Sequence, residues 1–191
     1  MSKNAIVFLD TEFTDLINNP RLLSVGIVVG GSGVGPDLEF YAEVTDPGRL
    51  AASSNFVQDT VLPQFKVIFG AACTYADIGS RISAFLFSLA VSLPPDGIIE
   101  VAYDFNLDWE LVEKAIRDTG NDDWSTLRQF LRPVNISNVT GTLIGEIAAQ
   151  DYFESQYLAP IYRHHALCDA RALRIAYDAV KASIIDGKNR I

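Results

Sequence analysis

Two carboxylates follow an apolar run near the beginning of the chain. Residues 5–14 read AIVFLDTEFT, and Asp10 and Glu12 lie where the apolar part of this run ends. Side chains on a strand alternate between its two faces, so both carboxylates project from the same side. Neighbouring like charges beside apolar residues repel each other and lose hydration, unless a hard divalent cation such as Mg²⁺ or Mn²⁺ binds their oxygens. Exposure of the pair to solvent at a strand end is the alternative interpretation.

Two aspartates follow a later apolar segment. Residues 98–102 predict a strand, Asp104 comes shortly after it, and Asp108 stands near the start of the next predicted helix. If this strand lies parallel to the first, its carboxyl end opens at the edge of the sheet where Asp10 and Glu12 lie. Asp108 is also a residue type that is favoured at a helix N-terminus for structural reasons. From the residues alone, Asp104 and Asp108 are both candidates for this site.

A third group of candidates stands at the beginning of the last predicted helix. Asp169 falls among alanines and apolar residues, where an unpaired carboxylate is costly and requires either a metal ion or an arginine such as Arg171 or Arg174. His164 and His165 are the only histidines in the chain. Helical spacing places His165 on the same face as Asp169, and it places His164 on the loop that enters the helix.

Apolar periodicity predicts the elements that bring these residues together. Alternating or continuous apolar runs predict four strands, and apolar residues spaced three and four apart predict helices. The predicted strands are residues 5–14, 21–30, 37–44 and 98–102, and the predicted helices are residues 75–93, 110–119, 122–131, 142–158 and 165–185. The glycine-rich residues 30–35 lie between two strands, so they indicate a hairpin turn rather than a phosphate-binding loop, which a helix would follow. This order predicts an α/β domain with a mixed sheet.

Composition limits the class of protein. The chain has 191 residues with 49% hydrophobic content, enough for one globular domain with a full core. Its net charge of -9 argues against a broad basic surface that coats nucleic acid. Cys73 and Cys168 have no spaced partners that would predict a zinc site or a disulfide. No secretory signal or membrane span is evident in the sequence, and a cytoplasmic location is expected.

Taken together, the three groups resemble the motifs of the DEDDh 3′-to-5′ exonucleases. This group of the RNase H-like superfamily includes RNase T, oligoribonuclease and the proofreading subunit of bacterial DNA polymerase III. The matching elements are Asp10-x-Glu12, an aspartate near the start of a later helix, and His-x-Ala-Leu-x-Asp-Ala at residues 164–170. The forms Asp10-Thr-Glu-Phe-Thr and Asp108-Trp109 are most similar to a bacterial and phage exoribonuclease subgroup.

The resemblance also selects between the alternatives. The last motif of the family places histidine five residues before the aspartate, which is His164 rather than His165. The middle motif places the metal-binding aspartate at Asp108, with Tyr103-Asp104 standing where the family has His-Asn. Asp104 is then an additional acidic contact.

The resemblance implies a fold and a mechanism. The fold is an RNase H-like mixed five-stranded sheet flanked by helices, with residues 1–191 forming a single exonuclease domain. The implied activity is hydrolysis of phosphodiesters from the 3′ end of RNA, or alternatively of DNA, which releases nucleoside 5′-monophosphates. His164 would take a proton from the attacking water, and two Mg²⁺ or Mn²⁺ ions would be held by Asp10, Glu12, Asp108 and Asp169. Homodimers are frequent among such enzymes, so a homodimer is an alternative to a monomer.

Aromatic and basic residues near these motifs are candidates for substrate binding. Phe13 and Trp109 either stack on bases or pack in the core. Arg163, Arg128 and Arg132 are candidates for contacts with phosphates. Two other functions are compatible with the residues. One is an RNase H-like module without turnover that binds nucleic acid or protein, and the other is a Mg²⁺-dependent phosphatase that acts on small phosphoesters.

Overall fold

The chain folds into a mixed sheet that lies between layers of helices. A computed structural model describes residues 4–17, 19–30, 38–120 and 123–188. The strands are β1 (Ala5–Phe13), β2 (Leu22–Gly30), β3 (Glu39–Val44), β4 (Ala72–Cys73), β5 (Ile99–Tyr103) and β6 (Leu131–Asn135). The helices are α1 (Pro47–Ala51), α2 (Tyr75–Ser92), α3 (Asn106–Arg117), α4 (Asp123–Leu127), α5 (Ser137–Thr140), α6 (Leu143–Ser155) and α7 (Ala166–Lys188). A π-helical turn, Val57–Val61, and a 3₁₀ turn, Leu62–Gln64, lie between α1 and β4.

β1 lies inside the sheet between one antiparallel and one parallel neighbour. The strand order is β4-β3-β2-β1-β5-β6. β1 is antiparallel to β2 and parallel to β5, so the predicted mixed sheet is confirmed. β2 is antiparallel to β3, as the predicted hairpin requires, and β6 is parallel to β5. From residue 31 onward, the glycine turn predicted between β2 and β3 lies outside the described residues.

Alternate residues of β1 pack against helices on opposite faces of the sheet. Val7 and Leu9 belong to a core that includes Ile82 of α2. Phe8 belongs to a second core, together with Leu173 of α7. Helices on both faces explain why every residue of β2 is buried and why the two central strands are nearly continuous apolar runs.

The sheet has six strands, where the resemblance implies five. β4 has only two residues, too few to form an alternating pattern in the sequence. The helix predicted over residues 122–131 is wrong in its second half, because α4 ends at Leu127 and β6 begins at Leu131. β6 is an edge strand with mostly exposed residues and a proline, so it lacks the apolar periodicity that identifies a buried strand.

Other predicted helices are present with shifted bounds. α3 begins at Asn106 rather than at residue 110, and α6 ends at Ser155 rather than at residue 158. α7 begins at Ala166, after both histidines, and extends to Lys188. Within the described ranges, no helix combines the length and the apolar character needed to cross a membrane.

Candidate active site

β1 extends beyond its parallel neighbour. β5 pairs with β1 only between Ala5 and Phe8, whereas β2 continues to pair with β1 as far as Phe13. Asp10 and Glu12 therefore lie on the part of β1 that β5 leaves uncovered. The register with β2 shifts between Glu12 and Phe13, so the regular strand ends directly after the second carboxylate.

The chain that follows β5 places two aspartates beside Asp10. After β5 it leaves the sheet and enters α3, so Asp104 lies in the connection and Asp108 lies in the first turn of the helix. Asp108 is 2% exposed, and its Oδ1 accepts a hydrogen bond of 2.7 Å from the Thr11 hydroxyl. Carboxylate oxygens of Asp10, Asp104 and Asp108 lie within 4.8 Å of one another. The structure thus brings both middle-motif alternatives to the site.

A glycine in β2 allows the last helix to approach the sheet closely. Gly26 pairs with Asp10, and a Cβ atom built on it would overlap the backbone of Ala166 at the start of α7. A side chain at this position would push the helix away from the sheet. Because α7 begins at this contact, Asp169 in its first turn lies next to the carboxylates of β1.

Glu12, His164 and Asp169 form a second cluster, in which the ligand atoms lie within 4.8 Å of one another. His164 has a φ of 68°, in the left-handed region that is unusual for a residue with a side chain. Its backbone N–H donates to both carboxylate oxygens of Asp169, at 3.3 and 3.1 Å. The ring of Phe56 meets the His164 ring edge-on, with 5.1 Å between centroids.

The second histidine lies in the core rather than in the site. His165 is 1% exposed and stacks on Tyr41, with 4.4 Å between ring centroids. Its Nδ1 accepts a hydrogen bond of 3.3 Å from the Leu167 N–H. His165 immediately precedes α7, and its carbonyl accepts a hydrogen bond of 3.0 Å from the Asp169 N–H, but its ring packs on Tyr41 and is not part of the cluster that contains the Asp169 carboxylate.

The carboxylates are shifted toward their protonated forms. Burial raises the pKa of Asp10 well above its usual value, and the charges of Asp108, Asp169, Glu12 and Asp104 raise it further. The pKa of Glu12 is raised by burial and then by Asp169 and Asp108. Burial is also the main cause that raises the pKa of Asp108 and that of Asp169 to about 7. The site therefore concentrates negative charge that either protons or cations must neutralise.

His164 lies where a neutral imidazole is favoured. Burial, followed by the charge of Arg163, lowers the pKa of His164 below its usual value of 6.5. A neutral imidazole has a free electron pair, so this side chain can accept a proton at neutral pH. Burial lowers the pKa of His165 to about 4, which keeps that ring uncharged in the core.

The donor atoms of the two clusters suit hard divalent cations. Five of the six residues offer carboxylate oxygens, and the sixth offers a histidine nitrogen. Mg²⁺ and Mn²⁺ prefer oxygen-rich sets of this kind. A bound cation would also attract these carboxylates, favour their ionised forms and so lower their pKa values. Each cluster can hold a metal ion.

A pocket of about 540 Å³ opens beside the carboxylates. Its acidic part contains Asp10, Asp104 and Asp169, from β1, the connection after β5 and α7. Glu146 and Phe153 of α6 also line it, as does Arg163, whose guanidinium lies 5.2 Å from the centre of the Phe153 ring. The two α6 residues are seven apart and share a helix face, but the sequence contains no sign that this face meets the site.

Two phenylalanines stack at the edge of this pocket. The rings of Phe13 and Phe105 have centroids 6.4 Å apart and an interplanar angle of 28°. Phe105 is 48% exposed and lines the pocket, whereas Phe13 also packs against the main core. Trp109 instead packs against Trp124 and the main core, so packing is the alternative that the structure supports for this residue.

The three candidate phosphate-binding arginines do not lie together. Arg163 is exposed and lines the pocket. Arg128 follows α4 and Arg132 lies in β6, and neither contributes to the pocket lining. Of the three, Arg163 is the one positioned to contact a phosphate at this site.

Comparisons with known proteins identify the fold. No protein-family model matches the chain, and no curated protein matches it. Fifteen chains of solved structures do match. One of them, described as the crystal structure of a full-length 3′-exonuclease, has a TM-score of 0.58 and 15% sequence identity, and the match covers 96% of this chain and 82% of that chain. This similarity confirms the predicted α/β fold with a mixed sheet flanked by helices.

Proposed function

We propose that this protein is a metal-dependent 3′-to-5′ exonuclease that removes nucleotides from the 3′ end of a strand as nucleoside 5′-monophosphates. We propose RNA as the preferred substrate because the motifs resemble those of an exoribonuclease subgroup. The observation that carries the proposal is the meeting of two groups of carboxylates at one sheet edge, Asp10 with Asp104 and Asp108 and Glu12 with Asp169, and His164 lies beside the second group as the proposed base. The 3′-exonuclease among the structures of similar fold adds support.

Asp10 is the residue that connects the two clusters. Its carboxylate is part of the first cluster, and Glu12, two residues further along the strand, is part of the second. The pKa of Asp10 is raised by burial and by the charges of carboxylates from both clusters. Asp10 would hold a metal ion together with Asp108, and Glu12 and Asp169 would hold metal in the neighbouring cluster.

The chain's own residues supply positioning and proton transfer. When bound, two divalent cations would neutralise the scissile phosphate and lower the pKa of an attacking water. His164, neutral at pH 7, accepts the proton of that water. Its N–H orients Asp169, and the Thr11 hydroxyl orients Asp108, so both carboxylates are held before substrate arrives.

The pocket fits the end of a nucleic acid strand. Phe105 is exposed at the pocket and backed by Phe13, so it offers an aromatic face, and stacking of a base on such a face contributes about 1 to 3 kcal/mol. Arg163 offers a positive charge for a phosphate next to the carboxylates. The net charge of -9 makes such local contacts necessary, because the protein as a whole repels a polyanion.

The test is a panel of labelled substrates. Single-stranded RNA and DNA of one sequence, labelled at the 5′ end, are incubated with Mg²⁺, Mn²⁺ or EDTA. We expect a ladder of RNA products that shorten from the 3′ end, release of nucleoside 5′-monophosphates, and no reaction in EDTA. Asp10→Asn should abolish the ladder, whereas Asp96→Asn, a change at an exposed residue in the loop before β5, should leave it intact.

Other results would point to the other candidate functions. A ladder on DNA alone would reverse the substrate preference. Binding of both nucleic acids without shortening would favour an RNase H-like binding module. Release of phosphate from a chromogenic phosphomonoester, with the nucleic acids left intact, would favour a phosphatase.

A further inference from the structure

Gln64 is a buried polar residue that the mechanism above does not use. It ends the 3₁₀ turn and is 2% exposed, so its side-chain amide depends on protein partners. We propose that Gln64 is a positioning residue, which holds the loop carrying His164 in its active conformation. This inference rests on the proposed function, because the role of Gln64 is exerted through His164.

One side-chain amide holds three consecutive residues of the loop. The Gln64 Nε2 donates to the backbone carbonyls of Arg163 and His164, both at 3.2 Å. The Gln64 Oε1 accepts a hydrogen bond of 2.9 Å from the Tyr162 N–H. The Thr60 carbonyl lies 3.1 Å from the same Nε2, so the two hydrogens of this amide are shared among three carbonyl acceptors. The loop lies 98 to 100 residues further along the chain, so this contact exists only in the folded protein.

These bonds define the backbone on both sides of the His164 Cα atom. The Arg163 carbonyl belongs to the peptide group before this atom, and the His164 carbonyl belongs to the one after it. Their orientations set the left-handed conformation of His164, with φ at 68°, which is unfavourable for a residue with a side chain. The N–H of the preceding peptide group donates to Asp169. Gln64 therefore orients the proposed base and a proposed metal ligand together.

The segment that carries Gln64 is anchored to β2 and to the residue that follows β1. Its apolar residues pack around Leu23 of β2 in a small separate core. The Ser54 N–H donates a hydrogen bond of 2.8 Å to the Thr14 carbonyl, just after β1. The position of the histidine loop is thus tied to the end of β1 through Gln64.

Loss of the amide would release the loop without removing a group that touches substrate or metal. A displacement of about 1 Å at a catalytic group can lower a rate about 100-fold. For Gln64→Met, which keeps the length of the side chain, we expect kcat on single-stranded RNA to fall about 10- to 100-fold. The KM should also rise at low salt, because the same loop carries Arg163, whereas kcat at saturating RNA reports on the position of His164.

The experiment measures steady-state kinetics on single-stranded RNA, with each variant held well below its melting temperature. Gln64→Glu keeps the acceptor for the Tyr162 N–H and removes the amide donors, so it tests the same role if the methionine variant does not fold. Gln58→Met is the matched control, because Gln58 is exposed and donates to the Ser53 carbonyl within its own segment. The control should retain wild-type kcat.

Repeating Gln64→Met in a protein that already carries His164→Ala separates positioning of the base from general stabilisation. In a His164→Ala protein the base is absent, but the backbone N–H of residue 164 still donates to Asp169, so the added effect of Gln64→Met should shrink to the smaller part that is exerted through Asp169. A merely structural contribution would lower kcat by the same factor in both backgrounds. That result, or an unchanged kcat in both Gln64 variants, would overturn the positioning role and leave the nuclease proposal intact. A wild-type protein inactive on both RNA and DNA would overturn both.

Discussion

Replacing Asp108 with asparagine removes one negative charge from the site and keeps the acceptor atom that Thr11 uses. Asp108 is 2% exposed, and its Oδ1 accepts the Thr11 hydroxyl hydrogen bond. An asparagine has an Oδ1 in the same place, so the change isolates the effect of the charge. We expect the Asp108→Asn protein to lose nuclease activity and, without metal, to be more stable than the wild type.

The size of the gain follows from the pKa of Asp108, which burial raises from 3.8 to about 7. A carboxyl with a raised folded-state pKa stabilises the fold below its unfolded pKa, and this contribution is lost as pH rises through the folded value. One pKa unit corresponds to about 1.4 kcal/mol, so the raised pKa lowers the free energy of unfolding by about 4 kcal/mol at pH 8 and by less than about 2 kcal/mol at pH 5, relative to an unshifted carboxyl. Asp108→Asn should recover about 2 to 4 kcal/mol at pH 8 and less at pH 5.

Urea unfolding in EDTA at both pH values, followed by circular dichroism, measures this difference. Asp96→Asn serves as the control, since it removes a carboxylate from an exposed loop. Mg²⁺ or Mn²⁺ should stabilise the wild type more than Asp108→Asn and so reduce the advantage of the variant. If Asp108→Asn were less stable than the wild type by the same amount at both pH values, the carboxylate would be structural and our account of the charge cluster would be wrong.

Three further outcomes test other parts of the site. Gly26→Ala should lower the free energy of unfolding by about 2 kcal/mol or more and reduce activity, because its Cβ would overlap the start of α7, whereas Gly48→Ala, with open space around it, should do neither; urea unfolding and the nuclease assay check both. His164→Ala should lower kcat by about 10² to 10⁴, while His165→Ala should mainly lower the melting temperature; the reverse order of kcat values would show that the wrong histidine is assigned. Arg163→Gln should raise KM several-fold at low salt and much less at high salt, and equal effects at both would exclude a phosphate contact.

The parts of the site that the sequence reveals are those that follow from local periodicity. Asp10 and Glu12 share a face because side chains alternate along a strand, and this alternation does not depend on the rest of the fold. β1 and β2 are recognisable because helices cover both of their faces, which requires nearly continuous apolar residues. The edge strand β6 shows no such pattern, since its exposed residues do not need to be apolar.

The relative positions of separate elements are what the sequence leaves open. Helical spacing favours His165, but the ring of His165 packs on Tyr41 in the core, and it is His164 that lines the pocket. Asp104 and Asp108 are alternatives in the sequence, and the fold brings both to Asp10.

Sequence alone therefore establishes an α/β domain with paired carboxylates at the end of its first strand, because alternation and apolar runs are properties of each segment by itself. Tertiary structure decides which residues complete the site. Gly26 lets α7 approach the sheet, and Gln64 reaches a loop about one hundred residues away. Such contacts depend on close packing between distant segments, and no local pattern of residues encodes those distances.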